Sequence, residues 1–466
     1  DVVRVVTPGT VIESSMLDEA KNNYIMCLFE EGGSVGLAAS DITTGTVCLA
    51  EYFDKNNDQN IINEISRFTP SEIIGSKELL SKKAVRDFVQ TRVNCALECI
   101  EFRPDGHKII EESFEKSVSE LGLSDKPFAL AALAALLTYF REMQKGFYKR
   151  LGAVVFLNRS EYLSLDTSAL KHLEVIESSS GGRKNSLLSV LDATKTAMGK
   201  RLLTESLTRP LVNVAEITLR QNAVEELCAD NALRAHLSDA LTGINDVERI
   251  MTRIVYKNIS PKELKSLEHT LSRLPALHSF LSRAKSTLLK NILAELDVMS
   301  DVTGRIAATL TDDPPPTTKD GGYIKKGISK ELDDSRELLN DTKGVLSRLE
   351  EAERAATNIK NLKIVFSKLF GYCIEVSKTS MSAVPERYER RQTLTNCERY
   401  ATPELTELEG KILSARDHQL GMEAEIFKSL LSFCADNLRR ISRTAKAIAK
   451  TDLILSFSEV SKRGGY

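Results

Sequence analysis

Between residues 330 and 436 the hydrophobic period of this chain changes twice, and few folds tolerate such a change. Leu332, Leu339 and Leu346 recur at spacing seven, with Leu349 three residues on. From Leu405 onward Leu408, Ile412, Ala415, Met422, Ile426 and Phe433 follow a three-four rhythm, interrupted by polar Gln419 and Ser429. That rhythm is the seam of paired helices. Between the two, residues 358–402 switch to period two. Leu362, Ile364 and Phe366 alternate with Lys363, Val365 and Ser367; after Gly371, Tyr372, Ile374 and Val376 alternate with Cys373, Glu375 and Ser377. Such alternation predicts a β-hairpin. The pattern therefore predicts two long helices, each roughly 35–45 Å at ~1.5 Å per residue, paired antiparallel as a stalk. A small β element sits at its tip.

The remainder divides in two. Strand patterns at Tyr24–Phe29, Val35–Ser40, Thr46–Tyr52 and Glu72–Gly75 alternate with helical patterns at Ile61–Phe68 and Glu78–Val89. This predicts an α/β domain ending near residue 120. After Pro127 the chain reads as helices: Phe128–Met143, Ser186–Thr208 stopped by Pro210, Val214–Ala229, Asn231–Leu241 and Pro261–Ala284. Three consecutive prolines (Pro314 to Pro316) and Gly321-Gly322 mark a connection before the first long helix. The expected divisions are 1–122 (α/β), 123–355 (helical), 356–403 (β tip) and 404–466 (returning helix).

Composition narrows the function. Hydrophobic residues make up 42% and charged residues 27%, with no Trp, the profile of a helix-rich globular chain. The apolar run Phe128–Phe140 is too short to span a bilayer. The chain opens at Asp1 with no apolar leader, which leads us to expect a fragment of a longer protein. Cys95 and Cys99 have no second pair, so the eight cysteines are expected to be reduced thiols rather than a zinc site. The net charge of −2 gives no global attraction for polyanions. The tip differs: from Arg354 to Arg399 nine basic residues face four acidic ones. A positive element on a long arm suits a nucleic-acid backbone, where Lys and Arg release condensed counterions.

Several runs are recognisable. Asn361-Leu362-Lys363-Ile364, Phe370-Gly371-Tyr372-Cys373-Ile374-Glu375-Val376 and Arg390-Arg391-Gln392-Thr393-Leu394-Thr395-Asn396-Cys397-Glu398-Arg399-Tyr400 resemble the clamp of the bacterial MutS family of mismatch-repair proteins. Asn185–Asp192 with Thr194, Met198-Gly199 and Arg201-Leu202-Leu203 resembles the family's core region, continued by Pro210-Leu211 and Arg220-Gln221. Lys319–Ile324 is similar to the start of its lever, and Arg4–Thr10 to the junction before its connector. The resemblance implies a connector of ribonuclease-H-like topology, then a helical lever domain whose stalk carries a β clamp. It implies a dimer that encircles duplex DNA, a cytoplasmic, nucleoid-associated setting, and a connector that docks the partner MutL. By position, Asn396 falls where the family places a clamp residue on the DNA backbone. Lys363, Ser367, Lys368, Arg390 and Arg391 join it on charge and period two.

The departures matter as much. The full-length family uses ATP and Mg in an ATPase with a Gly-x-x-x-x-Gly-Lys-[Ser/Thr] phosphate loop, and no such run occurs here. Three Phe-x-Glu triplets (Phe29/Glu31, Phe140/Glu142, Phe457/Glu459) lie outside the region where the family reads mismatches. They are expected to be packed Phe beside surface Glu. The chain is therefore expected to have no enzymatic activity, cofactor or mismatch preference of its own. Two rival classes remain. A metal-dependent nuclease would use Asp41 with Asp54 or Glu51; the plainer expectation is that Asp41 starts a turn. A coiled-coil scaffold would bind protein and no DNA.

Overall fold

The computed structural model describes residues 6–13, 16–53, 57–93, 95–102, 106–143, 154–367 and 369–465. They form two compact units. One holds residues 1–259, 266–304 and 431–466; the other holds 260–265 and 305–430.

The first unit is built on a six-stranded mixed sheet. Strands β1 (Tyr24–Glu31), β2 (Ser34–Asp41) and β3 (Thr46–Tyr52) form an antiparallel meander, with Leu28 opposite Leu37 and Ala38 opposite Leu49. Strands β4 (Glu72–Gly75) and β5 (Ala96–Cys99) extend it in parallel on the β1 side, and β6 (Val154–Phe156) pairs parallel with β3. The order is β5-β4-β1-β2-β3-β6. Ile109, Ile110, Leu133 and Phe140 cover one face; Ile61, Ile65, Leu79 and Val85 cover the other. Burial on both faces explains why β1 to β3 read as continuous apolar runs rather than strict alternation.

The sheet runs past the boundary expected at residue 122, because helix Pro127–Met143 packs on it and β6 closes its edge. A parallel partner needs a long crossover, and a three-residue strand carries no readable period. The helix expected at Glu78–Val89 is three short pieces, Lys77–Leu80, Lys83–Phe88 and a π turn at Val89–Val93. Pro261–Ala284 is likewise two helices, Pro261–Leu271 and Leu274–Leu281, with Pro275 in the first turn of the second.

The helical part of this unit surrounds one long helix, Leu438–Gly464. It packs against helices Leu187–Leu191, Ala197–Thr208, Val214–Ala229, Asn231–Leu241, Val247–Val255 and Thr287–Glu295. The helix expected at Ser186–Thr208 is interrupted at 192–196. Asp192 leaves the helix and accepts the Thr194 hydroxyl at 2.6 Å, and Thr196 caps a new helix by accepting the Gly199 N–H at 2.9 Å. Ser/Thr/Asp side chains that bond their own backbone compete with helix continuation.

The second unit holds helix Lys330–Thr357, of 28 residues, and most of helix Pro403–Asp436, of 34. Ser329 caps the first by accepting the Leu332 N–H at 3.4 Å. Leu332 and Leu405 are fully buried, whereas Leu339, Leu346, Leu349, Leu408, Ile412, Met422 and Ile426 are half-buried. The expected seam is therefore not a continuous dry one. Polar links join the two helices instead: Ser335 donates to the Ala415 carbonyl at 3.5 Å, and Arg336 pairs with the buried Glu423 at 2.9 Å. Glu423 also accepts the Gly322 N–H at 2.7 Å, which anchors the Pro/Gly connection.

Candidate nucleic-acid interface

Between these helices residues 358–402 form a four-stranded antiparallel sheet, ordered β7-β8-β10-β9. Its strands are β7 (Lys363–Ser367), β8 (Gly371–Ser377), β9 (Glu389–Thr393) and β10 (Cys397–Ala401). Period two made β7 and β8 legible. The second hairpin is charged on the surface, with Glu389-Arg390-Arg391 at its start, so it carried no hydrophobic alternation. Ile359, Leu362, Ile374, Val376, Tyr388, Tyr400 and Leu405 form its small core, backed by Leu346 and Leu349 of the outgoing helix.

Three helix carboxylates fix the sheet. Glu350 accepts the Ile364 N–H at 2.7 Å, and Glu353 accepts the Tyr388 hydroxyl at 2.8 Å and Arg387 at 2.5 Å. Glu409 of the returning helix accepts the Tyr372 N–H at 3.3 Å beside Gly371, which turns the β7–β8 connection at φ +71°. A Cβ at residue 371 would collide with the Glu409 carboxylate. Burial, reinforced by the bond to Glu353, pushes the Tyr388 phenol well above its ordinary range.

The register divides the six expected contact residues. Lys363, Glu375, Arg399 and Gln392 stand in one row across all four strands. Arg399 closes that row, bonding Glu375 at 3.0 Å and Gln392 at 3.0 Å. At the same end, the turn after β9 is closed by the Leu394 N–H on the Cys397 carbonyl at 2.9 Å, which leaves Asn396 exposed. The Asn396 carbonyl accepts the Lys378 N–H at 3.2 Å, so Lys378 and Asn396 are neighbours. Arg390 lies one row on, opposite Tyr400 and so on the other face of the sheet from Lys363, and Arg391 is the extra residue of a bulge between the Gln392–Arg399 and Arg390–Tyr400 pairs on the edge strand β9. Ser367 is not part of this group. It pairs with Gly371 at the opposite end of the sheet, roughly 13 Å from Lys363 at ~3.3 Å per residue. Lys368 lies outside the described residues, as do Arg4, Val5 and Asp54.

Not every base in the count faces outward. Arg354 is spent on Glu350 and the Leu362 carbonyl, Arg387 on Glu353 and Arg399 on Glu375. Lys360, Lys363, Lys378, Arg390 and Arg391 are exposed, as is Arg387 despite its pair with Glu353. Lys360 and Lys378 enter the sequence count as charge and are not among the six expected contacts. The available signal was that Lys378 directly follows a strand ending on Ser377.

Residues 168–458 match the profile of MutS domain III, and residues 23–154 match that of MutS domain II. The chain belongs to the MutS family. The protein named DNA mismatch repair protein MutS from Caldanaerobacter subterraneus subsp. tengcongensis is 39% identical across all of this chain and 54% of its own length. Those from Ruminiclostridium cellulolyticum and Clostridium tetani are each 38% identical across all of this chain, and 54% and 52% of their own lengths. The chain thus spans about half the length of the curated MutS relatives it matches. The β tip falls inside the domain III span and the six-stranded sheet inside or beside the domain II span.

The domain II geometry disfavours the nuclease. Asp41 is fully buried, with one carboxylate oxygen accepting the Thr43 N–H at 2.8 Å and hydroxyl at 2.7 Å, and the other accepting the Asn23 N–H at 3.0 Å. This is a turn-closing aspartate. Glu51 accepts the Ala129 N–H at 2.8 Å at the start of helix Pro127–Met143. No group of three His, Cys, Asp or Glu able to hold a metal occurs among the described residues. Of the Phe-x-Glu triplets, Phe140 is buried with Glu142 exposed, while Phe29 and Phe457 pack against core clusters. No helix among the described residues is long and apolar enough to cross a membrane.

Proposed function

We propose that this chain is the DNA-holding middle of a mismatch-recognition protein: the β tip is the clamp, the two long helices are the lever that carries it, and the six-stranded sheet is the connector of ribonuclease-H-like topology. The observation that carries the reading is the sheet end where Lys363, Lys378 and Asn396 gather, with Arg390 and Arg391 exposed on the edge strand β9 beside it. Exposed cations with an amide between them suit phosphate oxygens, which position a duplex without reading its sequence. The names of the MutS relatives support mismatch repair as the setting. In the longer protein the clamp works beside a mismatch reader and an ATPase that uses ATP and Mg, as a homodimer in the cytoplasm, with the connector docking MutL.

The test is fluorescence anisotropy of a labelled duplex, matched and mismatched, at two salt concentrations with the chain as it stands. Weak binding that ignores the mismatch is expected, with each phosphate contact adding about −0.9 to the slope of log affinity against log salt. Lys363→Glu with Lys378→Glu should abolish most of it and flatten the slope. Binding untouched by this pair would overturn the clamp assignment, and no binding at low salt would favour the protein scaffold.

A further inference from the structure

A second carboxylate in the tip has no evident reason to be buried. Glu398 lies on β10 opposite Thr393, its side chain only 4% exposed in a core of few residues. Burying a carboxylate costs several kcal/mol unless hydrogen bonds and a cation compensate it. Two neighbours supply the bonds: the Tyr400 hydroxyl donates at 2.6 Å and the Thr393 hydroxyl at 3.4 Å. Burial and the bond to Glu398 push the Tyr400 phenol up to about 12, so it stays a donor throughout the physiological range. The cation is Arg390, one of whose guanidinium nitrogens stands 3.6 Å from Glu398. Arg390 nevertheless remains 64% exposed.

This geometry differs from the arginine pairs that brace the sheet. Arg387 and Arg399 each donate to a carboxylate within 3.0 Å, and each serves the fold. The Glu398 oxygens each accept a hydroxyl, and Arg390 stands beside them at 3.6 Å, beyond hydrogen-bond distance. Its N–H groups remain available to a ligand. The bulge at Arg391 sets Arg390 opposite Tyr400, on the side of the sheet where Glu398 lies.

We propose that Glu398 is a positioning residue for DNA: a fixed buried carboxylate, held by Tyr400 and Thr393, that pre-orders Arg390 for a phosphate. The inference rests on the clamp reading and names how one of its contacts is prepared. A free arginine must surrender rotamer entropy when it binds, and one already oriented surrenders less. The ligand is the phosphodiester backbone. Glu398 touches none of it.

The experiment is a double-mutant cycle on the full chain, reading duplex affinity and its salt slope for wild type, Arg390→Gln, Glu398→Gln and the double variant. Glu398→Gln keeps the shape and removes the charge. It should weaken binding about three- to tenfold, the range expected for losing the order of one long side chain. In the Arg390→Gln background the same change should have no effect. Tyr400→Phe, which frees Glu398 without altering any charge, should weaken binding in the same direction with melting monitored in parallel. Tighter or unchanged binding by Glu398→Gln would overturn the inference, because a carboxylate acting only as a nearby negative charge gives that result. So would equal losses with and without Arg390, the mark of a purely structural role. Failure of the clamp reading looks different: wild-type binding would then ignore Arg390→Gln and the Lys363/Lys378 pair alike.

Discussion

Asp452 shows how much one side chain can organise. It is fully buried in helix Leu438–Gly464 and accepts the Lys195 N–H at 2.9 Å, the Thr196 N–H at 2.8 Å and the Thr196 hydroxyl at 2.7 Å. Gly199 is required beneath it, because a Cβ there would overlap the carboxylate. Burial outweighs these donors and pushes the Asp452 carboxyl up to about 6, from an ordinary 3.8. A carboxyl whose pKa rises on folding binds protons more readily folded than unfolded. Its contribution to stability is therefore full below about 3.8 and is lost as pH rises through 6. Urea unfolding should show about 1 kcal/mol more stability at pH 5 than at pH 7 from this group. Asp452→Asn should be less stable at both values, since its amide N–H₂ meets donors, and should lack that increment. An increment that survives the substitution would assign it to other groups.

At the scale of elements, the tip depends on its glutamates. Glu353 is buried and bridges the outgoing helix to residues 387–388, just before β9. Glu353→Ala should cost about 1–3 kcal/mol, the range for leaving a buried hydrogen-bonding partner unsatisfied. Amide exchange should accelerate in β9 and β10 while the six-stranded sheet keeps its protection; loss of protection in both would mean the substitution acts globally. Legibility in the sequence followed the same lines. Val214–Ala229 and Asn231–Leu241 were readable to the residue because their caps, Asn213 and Asp230, are local. Strand β3 was readable because its flanking Thr and Gly residues mark turns. The break at 192–196 was only half legible: Asp192, Thr194 and Thr196 are local signals, but Ser456 and Asp452 hold the break from the far end of the chain. The basic rim was legible as charge. Its division between two ends of the sheet was not, because that follows from strand register, which a count of arginines does not contain.

For the whole molecule, charge is unevenly placed. The chain has a net charge of −2 and a sequence pI near 6.4, yet between Arg354 and Arg399 nine basic residues stand against four acidic ones. Local rather than net charge should therefore govern DNA affinity. Raising pH from 7 to 8, where the chain becomes slightly more negative overall, should change duplex affinity less than twofold at fixed salt, because lysines and arginines stay protonated. A drop beyond tenfold would point to a titrating group at the contact.

The bond from Lys195 to Asp452 also spans 257 residues of chain. A ribosome adding about 5–20 residues per second needs roughly 13–50 s between making the two. Through that interval the N-terminus of helix Ala197–Thr208 has emerged without the carboxylate that completes it, and Leu203 lacks the Leu453 that will cover it. Leu188, Met198 and Leu203 are thus side chains that a nascent chain shows to chaperones and proteases and that the finished protein buries. Translation speed, which leaves the folded molecule unaltered, would set how long that exposure lasts.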